Sequence, residues 1–136
     1  MAIVIDASVS LAWHFDDEVS EYADRILEEL RAGAGLVPAI WPLEVANALL
    51  IAERRGRLSP ARTARAVDLF KELPLQVQEI GAQDALGPIL DLARAEDLSV
   101  YDASYLELAM REGLPLATED AALKSAAVRV GVTLAE

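Results

Sequence analysis

The chain has 136 residues, 54% of them hydrophobic, and 12 lysines and arginines stand against 23 aspartates and glutamates, which gives a formal net charge of −11. This length predicts one domain over residues 1–136, and the charge excludes a protein whose whole surface binds nucleic acid, although a local basic patch can still do so. Because there is no cysteine and only one histidine, His14, thiolate metal sites and histidine-rich sites are excluded, and a metal would be held mainly by carboxylate oxygens.

The first part of the chain predicts a strand, a helix and a second strand. Residues 2–5 are all apolar, which predicts a central parallel strand that stops at Asp6. Apolar residues recur at spacings of three and four between Val19 and Leu30, which predicts an amphipathic helix with Gly33 as its left-handed cap. Residues 36–37 then predict a second short strand.

Two helices and an edge strand are predicted next. The first helix begins at Pro42, has Glu44 in its first turn and ends around Gly56. Ser59 is the expected N-cap of a helix over residues 60–71. Apolar and polar residues alternate over 75–77, which predicts an edge strand.

The last part of the chain continues the alternation of helices and strands. A helix capped by Asp84 reaches about Ala95 and is expected to hold Pro88 in its first turn, and Asp102 opens a helix that stops at Gly113. The remaining predicted elements are a strand over 114–117, a short helical turn that begins at Asp120, and a last strand over 130–134. This alternation predicts an α/β fold, with three α/β/α layers, a mostly parallel central sheet and right-handed crossovers.

Four acids fall where the carboxyl ends of the predicted strands meet. Asp6 directly follows the first strand, and Asp120 lies three residues after Ala117. Glu44 and Asp102 fall in the first turns of helices whose preceding loops rise from the same edge. Because ligands of open parallel sheets bind beyond this edge, we expect the four carboxylates to converge in one crevice. Like charges that close raise one another's pKa, and oxygen-only ligation suits Mg²⁺ or Mn²⁺.

Each acid also has a purely structural interpretation. Acids in the first turn of a helix interact favourably with the helix dipole, which alone would explain Glu44 or Asp102, and Asp120 can simply cap the turn that it begins. Asp6 differs because it follows a fully apolar strand, near the core, where an unpaired charge is costly. The conjunction of all four favours a functional site.

Four segments that carry these acids also form a recognisable set of motifs. They are Ile3-Val4-Ile5-Asp6-Ala7-Ser8, Glu44-Val45-Ala46-Asn47-Ala48-Leu49, Tyr101-Asp102-Ala103-Ser104-Tyr105 and Leu116-Ala117-Thr118-Glu119-Asp120. In this order and with these separations they resemble the PIN-domain nucleases, and within them the VapC-type toxins of toxin–antitoxin pairs. The resemblance covers essentially the whole chain.

The resemblance implies roles for particular residues. The quartet Asp6, Glu44, Asp102 and Asp120 would hold the metal and be catalytic. Ser8 and Thr118 match small hydroxyl positions that support the site, and Asn47 matches a position that faces it. The role of Glu119 stays open, because the family's pattern around the fourth acid is Thr-x-Asp with a variable middle residue.

The resemblance further implies an endoribonuclease toxin that depends on Mg²⁺ or Mn²⁺ and hydrolyses single-stranded RNA to a 5′-phosphate and a 3′-hydroxyl. The ion would lower the pKa of a bound water, place that water in line with the scissile phosphate and neutralise charge on the phosphoryl oxygens. Whether one ion or two act stays open. A VapB-type antitoxin, whose C-terminal segment wraps the toxin and blocks the acidic crevice, and a homodimer are implied as well.

Basic and aromatic residues outside the motifs have open roles. A stretch without an acid, between Glu53 and Asp68, either is a solvated tip of a helical hairpin or contacts RNA phosphates or the antitoxin. Its arginines are Arg54, Arg55, Arg57, Arg62 and Arg65. His14 is expected to be a partly buried structural residue, and Trp13 and Trp41 to be core or groove aromatics that can receive an apolar segment of a partner.

Two other functions and the location of the protein complete the expectations. A haloacid-dehalogenase-like phosphatase also places an aspartate after its first strand, but it needs a second aspartate where this chain has Ser8, and only Lys71 and Lys124 can supply its lysine. A catalytically inert PIN-fold binding module is the other alternative, and the intact quartet counts against it. The amino-terminal run has no basic flank, and residues 36–52 are interrupted by prolines and polar residues, so we expect no signal peptide, no membrane span and a cytoplasmic protein.

Overall fold

The computed structural model describes residues 1–15 and 20–136. Its centre is a parallel four-stranded sheet in the order β3-β2-β1-β4. The strands are β1 (Ala2–Ile5), β2 (Ala34–Pro38), β3 (Leu75–Gln78) and β4 (Leu116–Ala117). Parallel strands need long crossover connections, and helices supply them here, which gives the predicted three-layer α/β/α arrangement.

Eight α-helices and one π-helical turn are formed by the described residues. They are α1 (Ala7–Ala12), α2 (Glu21–Ala32), α3 (Trp41–Arg54), α4 (Pro60–Glu72), α5 (Ala82–Asp84), the π-helical turn (Ala85–Ile89), α6 (Leu90–Glu96), α7 (Val100–Glu112) and α8 (Ala121–Val130). The core forms where these helices pack on the sheet. Val4 and Ile5 of β1 are fully buried there, together with Leu106 of α7 and Leu116 of β4.

The strand order changes direction between β1 and β4. From β1 the chain adds β2 and then β3 on one side, whereas β4 returns to the other side of β1. In a parallel α/β sheet such a topological switch point opens a crevice at the carboxyl ends of the strands. Val4 pairs with Leu116 and Ile5 with Ala117, so β1 and β4 end side by side at this crevice.

Several predicted elements are confirmed. Helices α2, α3 and α4 follow the expected spans, and the hydroxyl of Ser59 accepts a hydrogen bond from the Arg62 N–H as an N-cap should. The start predicted for α2 at Val19 lies outside the described residues, and Ser20 is the observed N-cap. Strand β3 is at the edge of the sheet, as its alternating pattern predicts.

The expected left-handed cap at Gly33 is wrong. This glycine has a φ of −135°, and its small size matters for a different reason. A Cβ atom there would lie 2.2 Å from the carbonyl oxygen of Met1, which accepts a hydrogen bond from the N–H of Ala34 at 3.2 Å. The glycine therefore lets the start of the chain lie against the start of β2.

The predicted starts of two helices are also corrected. Gly81, not Asp84, precedes α5, and Pro88 lies inside the π-helical turn, where its missing N–H interrupts the regular α-helical hydrogen bonds. Helix α7 begins two residues before Asp102, with Ser99 as its N-cap. Asp102 nevertheless remains in the first turn.

The carboxyl-terminal region differs most from expectation. The predicted short turn after Asp120 is the ten-residue helix α8, which ends at Gly131 with a φ of +80°. The predicted strand over 130–134 is reduced to a single parallel bridge between Leu134 and Leu116. Its alternating apolar residues resemble a strand, but Val130 belongs to α8 and Gly131 is the left-handed C-cap of that helix, so the segment meets β4 only at Leu134.

Candidate active site

The acidic region lies at the switch point between β1 and β4. Asp6 follows β1, and Asp120 follows β4 as the N-cap of α8. Glu44 and Asp102 occupy the first turns of α3 and α7. The structure thus brings the four sequence-predicted acids to the same edge of the sheet.

Asp6 is the most buried of these acids, with 5% of its surface exposed. Its Oδ1 accepts hydrogen bonds from the Ser8 hydroxyl at 2.6 Å and from the Val9 N–H at 3.2 Å, so it is also the N-cap of α1. Its Oδ2 accepts a hydrogen bond from the Thr118 hydroxyl at 2.5 Å. The side chain is therefore fixed from both sides of the switch point.

The charge of Asp6 is nevertheless unfavourable in this position. Burial raises its pKa to about 6 from 3.8, and this effect exceeds the opposite effect of the three hydrogen bonds, while Asp102 adds a smaller increase. A cation near the carboxylate would remove this cost.

Thr118 links Asp6 to the fourth acid. Its hydroxyl oxygen accepts a hydrogen bond from the Asp120 N–H at 3.0 Å while its proton is donated to Asp6. Asp120 in turn accepts a hydrogen bond from the Leu123 N–H at 2.8 Å as the N-cap of α8. The predicted supporting hydroxyls, Ser8 and Thr118, both contact Asp6 directly.

Glu44 and Asp102 are half-buried acids on neighbouring helices. Burial is the largest cause of the raised pKa of each. The hydroxyl of Tyr105 donates a hydrogen bond to Oε1 of Glu44 at 2.7 Å, which partly opposes the increase. The N–H of Asp102 donates to the hydroxyl of Ser99, the N-cap of α7, at 3.0 Å.

Asp102 is the electrostatic centre of the quartet. Its charge raises the pKa of Asp6 and of Glu44, and the charge of Asp120 raises the pKa of Asp102 itself. Each of the other three acids is thus close enough to Asp102 to interact with it. Such mutual repulsion is typical of a site in which a bound cation compensates the charge.

The donor set fits a hard divalent cation. Among residues 1–15 and 20–136, no three histidine, aspartate or glutamate side chains are grouped so that they could together hold a metal ion, so the acids share a region without forming a ready-made three-ligand site. Mg²⁺ commonly takes only one or two carboxylates and keeps several waters, whereas structural zinc needs a closed set that usually includes nitrogen or sulfur. An open group of carboxylate oxygens is therefore compatible with Mg²⁺ or Mn²⁺.

Two other residues predicted near the site have different surroundings. Asn47 is exposed on α3, one helical turn after Glu44, and its proposed part in the site stays a prediction. Glu119 connects two elements, because its N–H donates to the Ser8 hydroxyl at 3.3 Å and its Oε1 accepts from the Ser20 hydroxyl at 2.5 Å. The sequence pattern assigned no role to Glu119, and these contacts hold the start of α2 beside the site.

A cleft of about 450 Å³ adjoins the acids on the side of α3. Ser8, Glu119, Arg55 and Arg57 are among its lining residues. The guanidinium of Arg57 also lies 4.7 Å from the centre of the Phe15 ring. Two of the five arginines in the acid-free stretch thus border the same cleft as residues of the acidic region.

The aromatic residues near the amino terminus pack around Phe70. The rings of His14 and Trp41 meet it edge to face, with centroid distances of 4.9 and 5.2 Å. Trp13 donates a hydrogen bond from Nε1 to the carbonyl of Ala23 at 2.8 Å. Burial, with a smaller effect of Arg62, lowers the pKa of His14, which favours its neutral form. These contacts agree with the structural roles expected for the three rings.

Comparison with known proteins identifies the protein family. The sequence profile of the PIN domain matches residues 3–129, and the chain, with its acids at the switch point of a parallel sheet, belongs to the PIN-domain family. Ribonuclease VapC3 of Pyrobaculum aerophilum is 31% identical over 120 residues, covering 88% of this chain and 90% of that protein. The chain is therefore a homologue of the VapC ribonucleases, and the phosphatase alternative is wrong.

Solved structures agree on the fold. PAE2754 from Pyrobaculum aerophilum superposes with a TM-score of 0.70 at 25% identity, covering 93% of this chain and 84% of that one. VapBC2 from Rickettsia felis, determined with a DNA fragment from its promoter, matches with a TM-score of 0.63 over 99% of this chain and 98% of the other. Its 14% identity supports the fold alone.

Across residues 1–15 and 20–136, every helix is too short or too polar to cross a lipid bilayer.

Proposed function

We propose that the protein is an endoribonuclease toxin that depends on Mg²⁺ or Mn²⁺ and cleaves single-stranded RNA. The observation that carries this proposal is the group of four acids that includes Asp102, three of which have a pKa raised by burial and by the charge of a neighbouring acid. Similarity to a protein named as a ribonuclease supports RNA cleavage as the reaction. The products are a 5′-phosphate and a 3′-hydroxyl.

In this proposal the four acids and the two hydroxyls have different roles. Asp6, Glu44, Asp102 and Asp120 would hold the ion, which supplies charge neutralisation and a bound water of lowered pKa. Ser8 and Thr118 orient Asp6 by donating to its two carboxylate oxygens. Because these donors are hydroxyls, they stabilise the carboxylate form without adding a positive charge that would compete with the ion.

We also propose that a VapB-type antitoxin blocks the acidic crevice and that the protein forms a homodimer in the cytoplasm. The 31% identity to Ribonuclease VapC3 supports the antitoxin partner, because the resemblance to VapC-type toxins implies a VapB-type antitoxin. An antitoxin that occludes the acids would stop cleavage without any change in the fold.

The proposal is tested by removing the metal. A short single-stranded RNA should be cleaved in Mg²⁺ or Mn²⁺, cleavage should stop in excess chelator, and it should return when the ion is restored. At a free ion concentration of about 100 times Kd, binding should add about 2.7 kcal/mol to the free energy of unfolding, which raises Tm by several degrees. Differential scanning calorimetry measures that change in Tm, and Asp6→Asn should lose most of it.

The same assay distinguishes the alternatives. Cleavage that continues unchanged in chelator would contradict the metal mechanism. A folded protein that binds the antitoxin but cleaves no RNA would instead be an inert binding module. The 5′ ends of RNA fragments after brief expression in a living cell would identify the target and the cleavage site.

We further propose that RNA phosphates follow the cleft toward Arg55 and Arg57. A chain with a net charge of −11 needs a local positive surface to hold a polyanion beside four acids. The two arginines border the cleft that Ser8 and Glu119 also line. Arg54 and Arg65 are exposed residues of α3 and α4 and are not among the lining residues of this cleft.

This path predicts the effect of charge removal. In a cleavage-deficient Asp6→Asn background, Arg55→Ala with Arg57→Ala should weaken every RNA sequence about equally, since phosphate contacts carry no base information. The slope of log K against log salt should flatten by roughly 1.4, or about 0.7 for each contact. Binding of a fluorescent RNA at several salt concentrations measures the slope.

Arg54→Ala with Arg65→Ala is the matched control, because it removes the same charge elsewhere. If both double variants change the slope equally, the effect is one of net charge and not of local contact. If RNA binding is unchanged but antitoxin affinity falls in the Arg55 and Arg57 variant, these arginines face the antitoxin.

A further inference from the structure

Tyr105 lies beneath the acidic region. It is on α7, one helical turn after Asp102, and only 1% of its surface is exposed. Its hydroxyl donates a hydrogen bond to Oε1 of Glu44, which lies on α3 and is 61 positions away in the sequence. The bond therefore joins the two helices that present Glu44 and Asp102.

The hydroxyl has a specific partner in an otherwise apolar setting. Tyr105 is part of the main hydrophobic core, where a phenylalanine would fill nearly the same space. A buried hydroxyl is costly unless it is hydrogen-bonded, and the partner here is a carboxylate, which makes the hydrogen bond stronger than one between neutral groups. Burial and the bond to Glu44 both raise the pKa of Tyr105, so the phenol stays protonated as the donor.

Glu44 needs such a restraint. Its side chain is half-buried, and the charge of Asp102 repels it. A glutamate in the first turn of a helix has several rotamers, some of which would carry the carboxylate into solvent, away from the other acids. Asp6 is held by two hydroxyls and one N–H, whereas within the described part of the chain Tyr105 is the side chain that donates to Glu44.

We propose that Tyr105 is a positioning residue for Glu44, holding its Oε1 so that the carboxylate stays among the acids that would hold a divalent cation. This inference rests on the proposed metal-dependent ribonuclease function. Tyr105 does not itself touch the ion or the RNA in this arrangement. It acts by restricting the rotamers of the carboxylate while that carboxylate is repelled by its neighbour.

The test is Tyr105→Phe, which removes only the hydroxyl. Affinity for Mn²⁺, measured by isothermal titration calorimetry without RNA, should fall about 10-fold, in the range usual for groups that orient metal ligands. With Mn²⁺ at a fixed subsaturating concentration, kcat should fall while KM for RNA changes little. Thermal unfolding of the metal-free protein should remain cooperative.

Tyr101→Phe is the matched control. It makes the same chemical change on the same helix, at a side chain that is 60% exposed, and it leaves Glu44 untouched. It should keep the Mn²⁺ affinity of the wild type. The same two measurements in a Glu44→Ala background complete the design, because Tyr105→Phe should cause no further loss of Mn²⁺ affinity once Glu44 is gone.

The outcomes separate this inference from the proposed function. If Tyr105→Phe binds Mn²⁺ as tightly as Tyr101→Phe and the wild type do, the positioning role alone is overturned. A loss caused by Tyr105→Phe that persists in the Glu44→Ala background would overturn it too, since the hydroxyl would then act elsewhere. If the wild type binds no Mn²⁺, the metal site itself is wrong and the positioning role falls with it.

Discussion

Replacing Asp102 with asparagine is expected to lower RNA cleavage by about a hundredfold or more while the protein stays folded. Residues that only orient metal ligands usually contribute 10–100-fold, so a ligand should contribute at least the upper value. Asp102 should be especially sensitive because its charge acts on Asp6 and Glu44 and because the charge of Asp120 acts on it. The measurement is the single-turnover rate on a short RNA, with circular dichroism to verify folding.

A matched control is available on α6. Asp91→Asn makes the same chemical change at an acid that is 74% exposed and paired with Arg94, and it should leave the rate unchanged. Glu44→Gln and Asp120→Asn should behave like Asp102→Asn, and asparagine preserves the N-cap of α8 at position 120. Retained cleavage in any one of these variants would remove that residue from the catalytic group.

Asp6 should produce a large pH dependence of stability in the metal-free protein. Its pKa is raised to about 6 in the folded state from 3.8, so the folded protein binds this proton more tightly than the unfolded chain does. Proton binding by Asp6 therefore stabilises the folded protein fully below about pH 4, and this stabilisation is lost as the pH rises through 6. The total change in the free energy of unfolding is about 3 kcal/mol, because a tenfold difference in proton affinity corresponds to about 1.36 kcal/mol.

Asp6→Asn should remove this dependence. At pH 7.5 and without metal, the variant should be more stable than the wild type by up to about 3 kcal/mol, although it should be inactive. The free energy of unfolding in urea, measured for both proteins between pH 4 and 7.5 in chelator, gives the comparison. Curves that run parallel for the two proteins would show that Asp6 has the same proton affinity in the folded and unfolded states.

This opposition between stability and activity is consistent with a catalytic role for Asp6. Burial of a carboxylate costs free energy because the charge loses its solvation. A residue that only supports the fold is rarely one that carries this cost. Ser8 and Thr118 reduce that cost but do not cancel it.

The order of elements was predictable because short apolar runs and helix caps are local signals. Residues 2–5 have the continuous apolar character of a central parallel strand, and Ser59 with Pro60 marks the start of α4. The convergence of the acids followed from one general rule, that the carboxyl ends of parallel strands share an edge. That rule requires no knowledge of which strands are neighbours.

What the sequence could not predict depends on contacts between distant residues or on unusual local geometry. Helix α1 has only six residues, and its apolar segment lacks the periodicity that reveals a longer amphipathic helix. The bond from Tyr105 to Glu44 spans 61 positions, and no local pattern marks it. The π-helical turn at Pro88 was missed because a proline normally indicates the first turn of a helix.

The hydroxyl of Thr118 has a consequence for the synthesis of the protein. It joins Asp6, near the amino terminus, to the N–H of Asp120, and Asp6 lies 112 positions before Thr118 in the chain. During synthesis, Asp6 is therefore present long before β4 and the beginning of α8. Until those residues are made, the Asp6 carboxylate lacks the Thr118 hydroxyl as a donor, and the fourth acid, Asp120, is missing. If the quartet cleaves RNA, an incomplete chain on the ribosome does not cleave the mRNA that encodes it. Activity begins only when Asp6 has come together with Thr118 and Asp120 in the folded protein.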